Sequence, residues 1–164
     1  MKVSASLVVS SVEEYRLGFE TIESGFLQDE VFKCLDKDGI EIVEVLLDRV
    51  KGAGKTSIAI LSEMSEIIFR LFDTNENIII YFFCDDLNEI PNTQKKVSPQ
   101  AYRSRLFSSM FERFVRKQKV DDIENIAISI EAFGRTEYLH FIVRSHHMKY
   151  IDYIQRNIEE TYTK

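Results

Sequence analysis

Residues 126–143, Ile126-Ala127-Ile128-Ser129-Ile130-Glu131-Ala132-Phe133-Gly134-Arg135-Thr136-Glu137-Tyr138-Leu139-His140-Phe141-Ile142-Val143, carry the clearest structural signal in the chain. Ile126, Ile128 and Ile130 recur at every second position, as do Leu139, Phe141 and Val143, which is the period of a strand with one face in a core. Gly134-Arg135 between them suits a two-residue II′ loop. Pairing Phe133 with Thr136 then sets Ile130 against Leu139, Ile128 against Phe141 and Ile126 against Val143. In that register His140 faces Ser129 on the side away from the core, and with Glu131 and Tyr138 it forms a polar strip.

Upstream, Tyr15, Leu17, Phe19 and Thr21 alternate with polar residues and predict a strand. Val31 to Leu35 reads as a second strand, turned by Asp36-Lys37-Asp38-Gly39 into a third from Ile40 to Asp48. Ile60, Leu61, Met64, Ile67, Ile68, Leu71 and Phe72 recur at steps of three and four and predict a helix ending near Asn75. Ile78 to Phe83 is apolar throughout, the mark of a central strand covered on both faces. Ser98-Pro99 suits the cap and first residue of a helix reaching about Lys119. A last helix spans about His147 to Tyr162.

The expected fold is α+β: a mainly antiparallel sheet of about six strands with three helices on one face, in the order β-β-β-α-β-α-β-β-α. The 164 residues make one domain (1–164), with residues 1–12 as a ragged terminus or edge strand. With 45% apolar and 29% charged residues, the composition is that of a globular protein. No run approaches the ~20 apolar residues of a membrane span. Leu7-Val8-Val9 is too short for the apolar core of a secretory leader. Cys34 and Cys84 lie in no paired motif and read as reduced thiols, which points to the cytoplasm.

The net charge of −6 is unevenly spread. Lys95 to Lys119 holds eight basic residues and one acid, Glu112, giving +7 and leaving −13 for the rest. A basic helix set against an acidic body suggests contact with a protein partner or a second copy, and disfavours nucleic acid for the chain as a whole. The expected contact residues are Arg105, Arg113, Arg116 and Lys119, with Glu131, Tyr138 and His140 as a second surface. Arg103 falls on the apolar stripe of the same helix, where a charge needs a partner. Asp85 and Asp86, which close the apolar strand, are the expected partners in a structural ion pair.

Gly52-Ala53-Gly54-Lys55-Thr56 resembles the end of a phosphate-binding loop. The first glycine of that motif would stand at position 49, which holds Arg49, and the hairpins around it offer no parallel sheet. Cys34, Asp36, Asp38 and Gly39 echo a calcium loop whose twelfth position, Val45, cannot coordinate. No histidine or cysteine spacing calls for a metal, no nucleophile motif occurs, and no cofactor is expected. The functional expectation is therefore a non-catalytic interaction or self-association module. The alternative is a nucleotide- or metal-dependent enzyme using Lys55, Thr56 and Asp85 with Asp86.

From Met64 to Val115 the chain also shows Ile67-Ile68-Phe69, the strand Ile79-Ile80-Tyr81-Phe82-Phe83-Cys84-Asp85 and Arg103-Ser104-Arg105-Leu106-Phe107 before an aromatic helix. In these segments it resembles a family of small bacterial proteins classed only as a domain of unknown function. The resemblance implies one cytoplasmic domain of bacterial origin and brings no activity, ligand or catalytic residue.

Overall fold

The computed structural model describes residues 2–10, 13–52, 57–84, 97–132 and 134–162, with backbone alone for 2–10. The chain is α+β, built on one mixed sheet. Strands β1 (Lys2–Ser10), β2 (Glu13–Ile22), β3 (Glu41–Lys51), β4 (Ile78–Cys84), β5 (Ile123–Ala132) and β6 (Arg135–Arg144) lie in the order β1-β2-β3-β4-β6-β5. Helices α1 (Asp29–Lys37), α2 (Ile58–Thr74), α3 (Pro99–Gln118) and α4 (Met148–Tyr162) connect or close them. A 3₁₀ turn, Ser145–His147, precedes α4.

Among the described residues there are four helices rather than three, and the difference lies at Val31–Leu35. This segment is α1, not a strand. Val31 and Leu35, four apart, are buried on one side of the helix, the spacing of a helix stripe, and Leu27 just before it is buried too. Asp29 and Glu30 in the first turn and Lys37 in the last favour the helix dipole. Asp36-Lys37-Asp38-Gly39 is the helix end and not a hairpin turn. Ile40 N–H donates to Leu35 C=O at 2.9 Å and Gly39 N–H to Asp36 C=O at 2.9 Å, the two bonds of a Schellman cap. Gly39 takes the left-handed conformation that this cap requires, φ 70°. Cys34 accordingly sits exposed on a helix and Cys84 buried in a strand, and the two are not joined in a disulfide.

Helices cover both faces of the sheet, not one. Tyr15, Leu17, Phe19, Val43, Val45, Ile80, Phe82 and Ile142 pack beneath α2 and α3. Ile42, Ile79, Tyr81, Leu139, Phe141 and Val143 pack with α1 and α4. Strand β4 lies between the two layers, with every side chain but Phe83 buried. Its unbroken apolar run is what burial on both faces selects.

β3 and β4 are parallel, joined through α2, with Ile42 beside Ile79 and Glu44 beside Tyr81. The other four neighbouring pairs are antiparallel. β5 and β4 are both antiparallel to β6, so they run the same way and α3 links them. The β5–β6 hairpin closes at Ala132–Arg135, two residues out of the predicted register, so Ile128 faces Leu139 and Ile126 faces Phe141. An even slip keeps each side chain on its face, which is why the alternation survived the wrong loop.

Candidate functional site

Helix α3 is polar on both sides, and it carries most of the chemistry the described residues hold. Its start is set locally: Ser98 Oγ accepts from the Ala101 N–H at 3.2 Å, and Pro99 occupies the first helical position. From there α3 crosses over β6. Phe107 and Phe111 bury into the sheet, and Phe107 stacks on Phe82 with centroids 4.6 Å apart.

Between these aromatics runs a hydrogen-bonded relay. Ser104 Oγ lies 2.8 Å from His140 Nε2, and His140 Nδ1 lies 2.9 Å from Asn125 Oδ1. Asn125 Nδ2 in turn donates to Ser108 Oγ at 3.4 Å. With Asn125 Oδ1 accepting at Nδ1, the proton resides there, and Nε2 accepts from the serine hydroxyl. His140 is 0% exposed and Ser104 7%. Burial pushes the His140 pKa down to about 4, so the ring is neutral at pH 7.

The predicted polar strip is thereby corrected. Glu131, Tyr138 and His140 do share a face, paired with Thr136, Ser129 and Ala127, but it is the face that α3 covers. Glu131 remains exposed and accepts from Thr136 Oγ1, Tyr138 packs against the core, and His140 is interior. The error follows from placing all helices on one side of the sheet. Ser104 and Asn125 were missed for the same reason. Their signal was nonetheless present in the sequence: Ser104 and Ser108, four apart, interrupt the apolar stripe of α3.

Serine, imidazole and amide stand here in the order of a nucleophile, a base and its orienting group. Ser104 lies in the second turn of α3, beyond the free N–H groups of the helix start that could hold an oxyanion. The crevice beneath α3, lined by Arg103, Leu106, Phe107 and Met110 with Tyr15 and Leu17, does not include Ser104. That crevice measures about 30 Å³, space for a water or two. The relay satisfies a core histidine and ties α3 to β5 and β6.

The outer side of α3 is cationic. Arg105, Arg113 and Arg116 are exposed, as is Lys119, which ends the helix in a left-handed conformation with φ 55°. Residues 105, 113 and 116 fall within about 80° on the helix circumference, so their charges share a face. Arg103, by contrast, is 5% exposed. Its expected partners Asp85 and Asp86 lie outside the described residues.

Lys55 and Thr56, the remaining elements of the phosphate-loop resemblance, also lie outside the described residues. Arg49 does not: it is paired with Tyr15 in the β2–β3 ladder, and Lys51 with Glu14. The Arg49 guanidinium meets Glu13 Oε1 at 3.1 Å and lies over the Tyr15 ring at 5.4 Å. Arg49 and Lys51 are held in the ladder with Val50 bulged between them, so this backbone is not free to wrap an anion. The expected lack of a parallel sheet is overturned, however, because β3, α2 and β4 form a parallel unit. Among the described residues no three His, Cys, Asp or Glu side chains group to hold a metal. No helix among them is long and apolar enough to cross a membrane.

No protein-family model, no curated protein and no solved structure matches this chain.

Proposed function

We propose that the protein is an interaction module whose contact surface is the outer face of α3, directed at an acidic protein surface. The observation that carries this reading is the exposure of Arg105, Arg113 and Arg116 on one side of a single helix. That helix is fixed from beneath by the Ser104–His140–Asn125 relay, so its charges stand on a rigid support. Glu112 is the one acid on the helix. Charge placed this way steers encounter and selects partners more than it adds affinity.

The test is affinity capture with wild-type protein and with Arg105→Glu/Arg113→Glu/Arg116→Glu, at low salt and at about 0.5 M salt, where screening is strong. A partner, or a second copy, should be held by wild type at low salt, released at high salt and lost in the variant. Association indifferent to both salt and charge reversal would refute the reading.

A second reading is nucleotide binding, with Lys55, Thr56 and Asp85 as its residues. It draws support from the parallel β3-α2-β4 unit, since ligands of open sheets gather where parallel strands end and helices begin. ATP with Mg²⁺ should then raise the melting temperature, and Lys55→Ala should abolish the shift. No shift with the wild-type chain removes this reading.

A further inference from the structure

We propose that the groove between α2 and α3 is a docking site for an acidic amphipathic helix of a partner protein; this deepens the interaction reading and rests on it. The groove is walled by Ile58 and Leu61 of α2 and by Leu106, Met110 and Phe114 of α3. It leaves about 150 Å³ open to guest side chains, five times the space in the crevice beneath it. Ile58 stands at its mouth, 59% exposed, the most exposed large apolar side chain among the described residues. An apolar side chain so exposed beside an apolar groove marks a contact surface. The serines between the walls make little demand on a guest: Ser65 Oγ already donates to Leu61 C=O at 2.8 Å.

The rim identifies the occupant. Arg113 and Lys117, one turn apart on α3, are both exposed along the groove, and among the described residues no acidic one lines it. A second copy offering the same groove across a two-fold would bring Arg113 and Lys117 against their own mates. An acidic guest is drawn instead. The groove runs alongside both helices, from Ile58 to Ser65 on α2 and from Leu106 to Lys117 on α3. Leu106 to Lys117 spans about 17 Å of helix, three turns, which suits a guest helix with apolar anchors at i, i+4 and i+7.

The probe is a fluorescein-labelled helical peptide of about four turns, with leucine at those anchor positions and glutamate elsewhere, titrated by anisotropy against the full chain. A control peptide carries lysine in place of every glutamate. The glutamate peptide should bind at least about tenfold more tightly than the lysine peptide. Ile58→Glu, Ser109→Glu and the pair Arg113→Glu/Lys117→Glu, all exposed positions, should each weaken it by about tenfold or more. Lys33→Glu/Lys37→Glu, exposed on α1 at the other face of the sheet, should change it little. Absence of binding, equal binding of both peptides, or binding unchanged by the groove variants would overturn the proposal. If partner capture remains dependent on salt and on Arg105 and Arg116 in that case, the groove assignment falls and the α3 surface stands. If capture fails as well, both fall.

Discussion

Ser104 Oγ on α3 lies 2.8 Å from Nε2 of His140 on β6, joining helix to sheet inside the core. Both residues are buried, so removing the hydroxyl leaves a ring nitrogen with neither donor nor water. Ser104→Ala should cost about 1–3 kcal/mol. A double-mutant cycle with His140→Asn, measured by urea unfolding, should give a coupling of about 1 kcal/mol or more. Strict additivity would show that the bond contributes nothing.

The same histidine sets a pH dependence. Its ordinary pKa is 6.5, and burial lowers it to about 4 in the folded chain. Between these values the unfolded chain binds a proton that the folded chain refuses, so acid favours unfolding. The stabilisation is complete above pH 6.5 and declines as pH falls toward 4, by about 3 kcal/mol at most. His140→Gln should flatten this part of the stability profile. A profile equally steep in the variant would assign the slope to other groups.

Glu44 works in the opposite sense. It is paired directly across the β2–β3 ladder with Glu20, and burial followed by the Glu20 charge raises its pKa. A carboxyl whose pKa is raised on folding is better tolerated protonated, so its charge lowers stability at neutral pH. Glu44→Gln should be more stable than wild type at pH 7, by a few tenths to about 1 kcal/mol. The gain should vanish once the pH falls below the ordinary carboxylate range. A destabilised variant would mean that the Glu44 charge is needed in the fold.

Much of this architecture was legible because local and long-range preferences agree. The apolar run of β4 predicted a strand buried on both faces, and Ser98-Pro99 predicted the start of α3. Val31–Leu35 misled because five residues rich in apolar side chains satisfy a short strand as well as a helix turn. What decides is the core that Val31 and Leu35 share with Ile151 and Ile154 of α4, far along the chain. His140 misled for a related reason. Alternation assigns a side chain to a face but not the cover over that face, and α3 covers this one. The cationic positions on α3 were readable from helical phase alone, whereas the Ser104–His140–Asn125 relay needs three separate elements brought together.

Arg49 separates the two functional readings. Arg49→Gly supplies the first glycine of a phosphate-binding loop, and by motif alone it should improve nucleotide binding. In the fold it removes the partner of Glu13 and the cation over Tyr15, and places a glycine in a paired strand. The expected result is a loss of about 2 kcal/mol or more, with no shift in melting temperature on adding ATP and Mg²⁺. A nucleotide-dependent rise in the variant would show that residues 49–51 leave the ladder to reach a phosphate.

Two glycines should respond to alanine with opposite sign. Gly134, in the β5–β6 hairpin, has φ 78°, and a Cβ added there meets nothing within 4 Å. The whole penalty of Gly134→Ala is then that of a left-handed backbone, about 1–2 kcal/mol. Gly18, in β2, is paired with Leu46 and has no positive φ. Its added Cβ would lie 3.6 Å from the Leu46 Cβ, an ordinary contact that covers part of an exposed leucine. Gly18→Ala should therefore stabilise by about 0.5–1 kcal/mol, mainly by restricting the unfolded chain. Melting temperatures of the two variants and their double mutant check both signs, and the effects should add, since the positions lie on strands that do not touch. A destabilised Gly18→Ala would mean that the β2–β3 pair cannot accept a Cβ between its strands.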